Sequence, residues 1–300
     1  MFIIKHRKIF LSISALLVAT ALISIFSFGF NPGTDFKGGT VYEVEFTNSR
    51  PDLATIRPNL EKLGFGQISV QFVGDKGLLL KTKTIDQDQK QLITDQLNKS
   101  GTFIEKRFSS IGPAVGRELM KKGVVAIALV ILIVILFISF AFYNVSYIIS
   151  SWKYGVATII ALLHDIILPS GIVAYLGYSQ GFEADALFLT ALLTIMALSV
   201  NDTIVIFDRI RENVKNHLGH NFEETVGISL DQSIVRSINT SLTIILTLIA
   251  LYLFGADSTR NFALIMALGI FFGTYSSIFV ASPLLVTWEK WTTRRGPTRN

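Results

Sequence analysis

Ala191-Leu192-Leu193-Thr194-Ile195-Met196-Ala197-Leu198-Ser199-Val200-Asn201-Asp202-Thr203-Ile204-Val205-Ile206-Phe207-Asp208-Arg209-Ile210-Arg211-Glu212-Asn213 is the stretch whose reading decides the fold. It begins as an apolar run of membrane-spanning length, holds an Asn-Asp pair inside the apolar part and ends in a charged cluster. An ionisable residue at that depth costs several kcal/mol unless it faces protein or water. Asp202 therefore requires a partner.

The whole chain shares this character. Of its 300 residues 50% are hydrophobic and 16% charged, with mean hydropathy +0.52, against roughly 25% charged residues in an average soluble domain. The chain is an integral membrane protein by composition. Its net charge of +5 comes from basic residues beside apolar runs, the positive-inside pattern of membrane topology. No basic-aromatic interleaving suited to single strands is present, so nucleic acid is not an expected partner. With no cysteine, disulfides, thiolate catalysis and Cys-based zinc sites are excluded.

Taken in order, Lys5, His6, Arg7 and Lys8 precede an apolar run from Ile9 to Gly29. That run is longer than a signal-peptide core and lacks an Ala-x-Ala site. It is expected to be an uncleaved first span with a cytoplasmic N-terminus. Phe30 to Thr40 packs Pro32, Gly33, Gly38 and Gly39 around Asp35, a turn-rich exit from the membrane. A soluble segment follows with alternating periods. Strands are expected at Thr40–Phe46, Ile68–Val73, Leu78–Lys83 and Thr102–Phe108, and helices at Pro51–Leu63 and Asp86–Leu97. The order β-α-β-β-α-β is the split-βαβ, ferredoxin-like pattern. This small domain contains no histidine and no catalytic set, and contact with a partner or polypeptide, or service as a spacer, both fit it.

Five further spans of membrane length are expected near Gly123–Tyr143, Tyr154–Leu176, Ala186–Phe207, Ile234–Phe254 and Phe262–Trp288. The expected organisation is residues 1–29 for the N-terminus and first span, 30–120 for the extracytoplasmic α+β ferredoxin-like domain, 121–288 for spans two to six and 289–300 for a basic tail. The fold class is thus a polytopic α-helical membrane protein with six transmembrane helices and both termini cytoplasmic. Lys153, Arg209, Arg211, Lys215, Lys290, Arg294, Arg295 and Arg299 all fall inside on this count.

Asp202 lies about 9 Å inside the helix end at Asp208, and Arg236 about 7 Å beyond Asp231. Their matched depth suggests an ion pair, serving either as a proton gate or as a permanent bridge. His164 and Asp165 sit near mid-membrane, as a second relay station or as a polar contact. Pro169 predicts a kink. Ser199, Asn201, Thr203 and Asn239 belong to an unusually polar lining of the fourth and fifth spans, a pattern that also glues helices together. Gly269 and Gly273 form a Gly-x-x-x-Gly of the close-packing type. No nucleophile–base pair, metal-ligand cluster or phosphate loop is present, so no enzyme is expected.

The exit loop Gly33-Thr34-Asp35-Phe36-Lys37-Gly38-Gly39, the run Ile111-Gly112-Pro113-Ala114-Val115-Gly116, His164-Asp165 and the Asn201-Asp202-Thr203 to Glu212-Asn213 run resemble the SecD/SecF family. These are bacterial protein-export membrane proteins of the resistance-nodulation-division superfamily, and the resemblance covers nearly the whole chain. The single small extracytoplasmic domain favours the SecF form. Thr34 replaces the family's usual apolar residue, a small departure. The resemblance implies a bacterial inner-membrane location and association with SecD, the SecYEG channel, YajC and, indirectly, SecA. It implies an unfolded preprotein as cargo, contact with membrane lipid, and protons as coupling ion with no other cofactor. It assigns proton coupling to the Asp202/Arg236 pair and movement to the extracytoplasmic domain. A passive scaffold of the channel and a small-molecule efflux subunit of the same superfamily are the alternatives.

Overall fold

In the computed structural model, residues 2–66, 68–141 and 151–295 are described. The end of the expected second span at Tyr143, the polar segment after it and the tail 296–300, with Arg299, lie outside the described residues. The elements are α1 (Phe2–Lys5), α2 (Arg7–Phe28), α3 (Thr34–Lys37), β1 (Gly39–Phe46), α4 (Leu53–Glu61), β2 (Ser69–Val73), β3 (Gly77–Thr82), α5 (Gln87–Asn98), β4 (Phe103–Ile111), α6 (Pro113–Ala141), α7 (Ser151–Gln180), α8 (Ala186–Lys215), α9 (Phe222–Phe254), α10 (Asp257–Ser276) and α11 (Ser282–Arg295). A π-helical turn, Ser277–Ala281, joins the last two. They form two compact units.

The smaller unit comprises Pro32–Val125 and Glu183–Ala186. Its antiparallel sheet has the order β2-β3-β1-β4, the ferredoxin-like arrangement expected of two split βαβ units. Alternation in β1 places Tyr42, Val44 and Phe46 in the core with Leu78 and Leu80 of β3, Ile56 and Leu60 of α4, and Ile93 and Leu97 of α5. Asp86 starts α5 with a capping box, its side chain accepting from Gln89 N at 2.8 Å while Gln89 Oε1 accepts from Asp86 N at 3.1 Å. β4 runs three residues past its expected end, and Gly112 alone separates it from Pro113 at the first turn of α6.

The larger unit holds the remaining helices. The chain has six helical segments long and apolar enough to cross a membrane among the described residues. Each overlaps an expected span, and α7 continues through Pro169. α9 starts at Phe222, well before Ile234, because Asn221 caps it by accepting from Glu224 N at 3.0 Å and two glutamates occupy its first turn. α8 and α9 thus make a long hairpin. Asn213, buried, donates to Ser229 Oγ at 2.8 Å and to Gln232 Oε1 at 2.9 Å and fixes the register of that hairpin.

Burial divides the spans into two classes. The most apolar windows of α7, α8 and the last span are 61%, 44% and 56% buried, whereas those of α2, α6 and α9 are 6%, 6% and 11% buried. The first three therefore form the interior of this unit, and the apolar side chains of the others face lipid or another protein. At one end of the unit Glu223 pairs with Arg7 at 2.5 Å and with Lys290, while Lys153 pairs with Glu289 at 3.1 Å.

Candidate functional site

The interior helices α7, α8 and α10 each bring a polar side chain to one point. Asp165 of α7 is fully buried. Its Oδ1 lies 2.9 Å from Nδ1 of His164. Its Oδ2 accepts from Ser276 Oγ of α10 at 2.7 Å and, in a short contact, from Ser199 Oγ of α8. A buried carboxylate is tolerated when hydrogen-bonded donors surround it, which these groups supply. The site depends on close helix approach. A Cβ built on Gly273 would lie 3.2 Å from Ser199 Cβ, and one on Gly269 would lie 2.1 Å from Ile195 Cδ1. The expected Gly-x-x-x-Gly thus acts in packing, and it brings α10 against the Asp165 pocket.

One turn along α8 from Ser199, Asp202 faces a different environment. Its Oδ2 is buried without a hydrogen-bond partner, and the neighbouring Ser237 Oγ is also unpartnered. Asp202 lines a cavity of about 40 Å³ together with Ser199, Asn201, Thr240, Ser241 and Thr274. A void of that size has room for a water, which needs about 10–15 Å³, and the polar side chains among its mixed walls can bond one. Ser199 belongs to both places, lining the cavity and donating to Asp165. A hydroxyl both donates and accepts, and Ser199 borders the Asp202 cavity while bonded to Asp165.

The structure therefore unites Asp165, His164 and Ser199, places Asn201 and Asp202 at the adjoining cavity, and bonds Thr203 to Ser277 at 2.8 Å. Asn239 is exposed on α9 and does not line the cavity. The expected Asp202–Arg236 ion pair is corrected. Arg236 lines a separate cleft with Asp208, Arg209, Glu212 and Gln232. The reason is hairpin register: the Asn213 bonds to Ser229 and Gln232 put Asp202 level with Thr240 and Ser241. Arg236 sits about 6 Å nearer the hairpin turn, because Asp208 and Asp231, used as depth markers, are not level with each other.

The exit-loop residues serve the smaller unit. Asp35 Oδ2 accepts from Ala186 N at 3.0 Å, capping the first residue of α8. Gly38, at φ +80°, leaves no room for a side chain, since a Cβ would lie 2.7 Å from the Pro113 backbone. Gly39, at φ +143°, would bring a Cβ within 2.9 Å of Thr82 O. Among the described residues no three His, Cys, Asp or Glu side chains converge as a metal site would need.

Sequence reasoning missed Ser276, Ser277 and Tyr275. Ser276 completes the Asp165 shell, and Tyr275 stacks on His164 with ring centres 6.0 Å apart. Two adjacent serines in an apolar span were the available signal, a weak one because serine is ordinary between packed helices.

Comparison with known proteins follows the same lines. Residues 92–291 match the family described as protein export membrane protein SecD/SecF, C-terminal, and residues 23–49 match the SecD/SecF GG motif. The chain is 42% identical to the protein translocase subunit SecF of Thermobaculum terrenum, over 96% of this chain and 93% of that one. It is 38% identical to the SecF of Anaerolinea thermophila, over 96% and 94%. It resembles the crystal structure of SecDF, a translocon-associated membrane protein from Thermus thermophilus, with TM-score 0.80 and 32% identity. That match covers 96% of this chain and 38% of the SecDF chain, so this chain spans well under half of that protein.

Proposed function

The chain belongs to the SecD/SecF family of protein export membrane proteins, and from that membership we propose that it is the SecF half of a proton-driven export device. In this reading it pairs with SecD, which supplies further spans, and works beside the SecYEG channel and YajC in the bacterial inner membrane. SecA begins translocation, and the device helps draw the unfolded preprotein across. In this reading both termini are cytoplasmic and the ferredoxin-like unit is extracytoplasmic.

The observation that carries the proposal is Ser199, whose hydroxyl lies between the Asp202 cavity and the buried Asp165 carboxylate. A proton accepted at Asp202 passes through the cavity and Ser199 to Asp165. Neutral Asp165 no longer attracts Ser199 and Ser276 as an anion does, since hydrogen bonds to a charged acceptor are roughly twice as strong as neutral ones. Contacts joining α7, α8 and α10 weaken together, and α8 shifts. Its first residue is capped by Asp35, so the shift reaches the exit loop and β1. Arg236, in the cleft with Asp208 and Glu212, adds positive potential at the cytoplasmic mouth and holds no ion pair with Asp202.

The test is preprotein uptake into inverted vesicles carrying the channel, SecD and this chain, with and without an imposed proton gradient. Stimulation by the gradient in wild type and its loss in both Asp202→Asn and Asp165→Asn support the relay. Equal stimulation in all three makes the carboxylates structural and leaves a passive scaffold.

A further inference from the structure

We infer that Ser276 is the positioning residue that lets Asp165 hold or release a proton while the carboxyl and the Ser276 hydroxyl stay hydrogen-bonded; the inference rests on the relay proposed above. Its single hydroxyl hydrogen has two acceptors within reach, Asp165 Oδ2 at 2.7 Å and the Gly273 carbonyl, one turn back in its own helix, at 3.0 Å. With Asp165 ionised, Ser276 donates to the carboxylate. With Asp165 protonated, the new O–H donates to Ser276 Oγ and the Ser276 hydrogen turns to Gly273 O. The Ser276 hydroxyl and the Asp165 oxygen it touches are paired in both states, and only hydrogens have moved.

Ser199 lacks this second option, because among the described hydrogen bonds its hydroxyl has Asp165 alone. Ser199 therefore delivers the proton and Ser276 accommodates it. The groups facing the pocket support this division. His164 comes from α7, Asp202 from α8 and Tyr275 from α10, and no Lys or Arg is among the partners of Asp165. Without a fixed cation the carboxyl depends on rotatable hydroxyls to exist in two charge states, since an unpaired buried group is costly.

The backbone beside Ser276 is built for the same purpose. The π-turn Ser277–Ala281 begins at the next residue, and such turns are rare and concentrate at functional sites. Here Ser277 bonds Thr203 Oγ1 of α8 at 2.8 Å while Ser276 bonds α7, so two successive residues reach two different helices. Ser277 also donates to Gly273 O at 3.0 Å, which makes that carbonyl the shared fallback acceptor.

The experiment is infrared titration of the full chain with its SecD partner in liposomes. The Asp165 carboxyl band is assigned by its disappearance in Asp165→Asn. Relative to wild type, Ser276→Ala is expected to displace the band's pH midpoint by about one unit or more, a tenfold change in proton affinity. Ser276→Thr, which keeps the hydroxyl, is expected to restore it. Ser199→Ala is expected to slow the appearance of the band after a pH jump. An Ser276→Ala midpoint equal to wild type, in protein that retains its native melting temperature, overturns the inference. So does an Ser276→Thr midpoint that follows the alanine variant. Gradient-driven uptake that survives in Asp165→Asn overturns the relay instead, and the band midpoints still decide the role of Ser276.

Discussion

Asp165 and Asp202 are two carboxylates at neighbouring positions in one helix bundle, and their surroundings are opposite. Asp165 is sealed, with both oxygens engaged by His164, Ser199 and Ser276 from its own and two neighbouring helices. Asp202 has an oxygen with no partner, beside a polar cavity bounded by α9, a helix that buries little of its surface within this chain. The difference teaches that a carboxylate's role in the membrane is set by how its neighbours can respond to a proton. In the proposed relay the sealed group stores the proton and translates it into helix contacts, and the half-open group exchanges it.

The sharpest way to break this comparison is to remove the sealed carboxylate. Asp165→Leu leaves Ser199 and His164 without their acceptor, at about 1–3 kcal/mol for each stranded group, while Ser276 falls back on Gly273 O. Thermal unfolding in detergent is expected to show the largest loss of any single variant here, and wild-type melting would falsify the sealed arrangement. Next comes the close approach that makes the seal. Gly269→Ala drives a methyl into Ile195 and is expected to cost about 1–3 kcal/mol by overpacking. Adding Ile195→Ala should recover part of that loss, and no recovery would place the damage elsewhere.

Asp202→Asn should behave differently from both. With no hydrogen bond to Oδ2 to lose, its melting is expected within about 0.5 kcal/mol of wild type, although gradient-driven uptake is lost. A large drop in stability would show that Asp202 is a structural contact. The smallest expected effect is a coupling. Asp202→Asn and Arg236→Gln should add within about 0.5 kcal/mol in a double-mutant cycle of stability, because they line separate pockets. A larger interaction energy would reinstate the ion pair that depth alone suggests.

The same contrast explains what the sequence disclosed. Hydropathy marked all six spans, and period-two alternation in Val41 to Phe46 marked a half-buried strand, because burial writes itself directly into residue choice. Asp165 and Asp202 stood out for the same reason, as charges inside apolar runs. Of their partners, His164 and Ser199 showed as polar residues in apolar runs, whereas the level of Asp202 relative to α9 did not. Counting from Asp208 and Asp231 presumed that both residues lie at one level, whereas the register of the hairpin is set by Asn213, Ser229 and Gln232, polar residues with no apolar periodicity to reveal them. The early start of α9 was hidden likewise, since its first turns are polar and rest on the Asn221 cap. Ser276 left only the weak trace of two adjacent serines in an apolar span, and the π-turn left none. Their significance comes from which helix they touch, and that is a property of packing.

The most direct test of the central claim, that one proton path joins the two carboxylates, is time-resolved infrared spectroscopy of Asp165 after a pH jump in liposomes, comparing wild type with Asp202→Asn. The relay predicts that Asp165 protonates markedly more slowly once Asp202 is gone, with the same final amplitude. An unchanged rate would contradict it, and would mean that Asp165 receives its proton by a route that bypasses the Asp202 cavity.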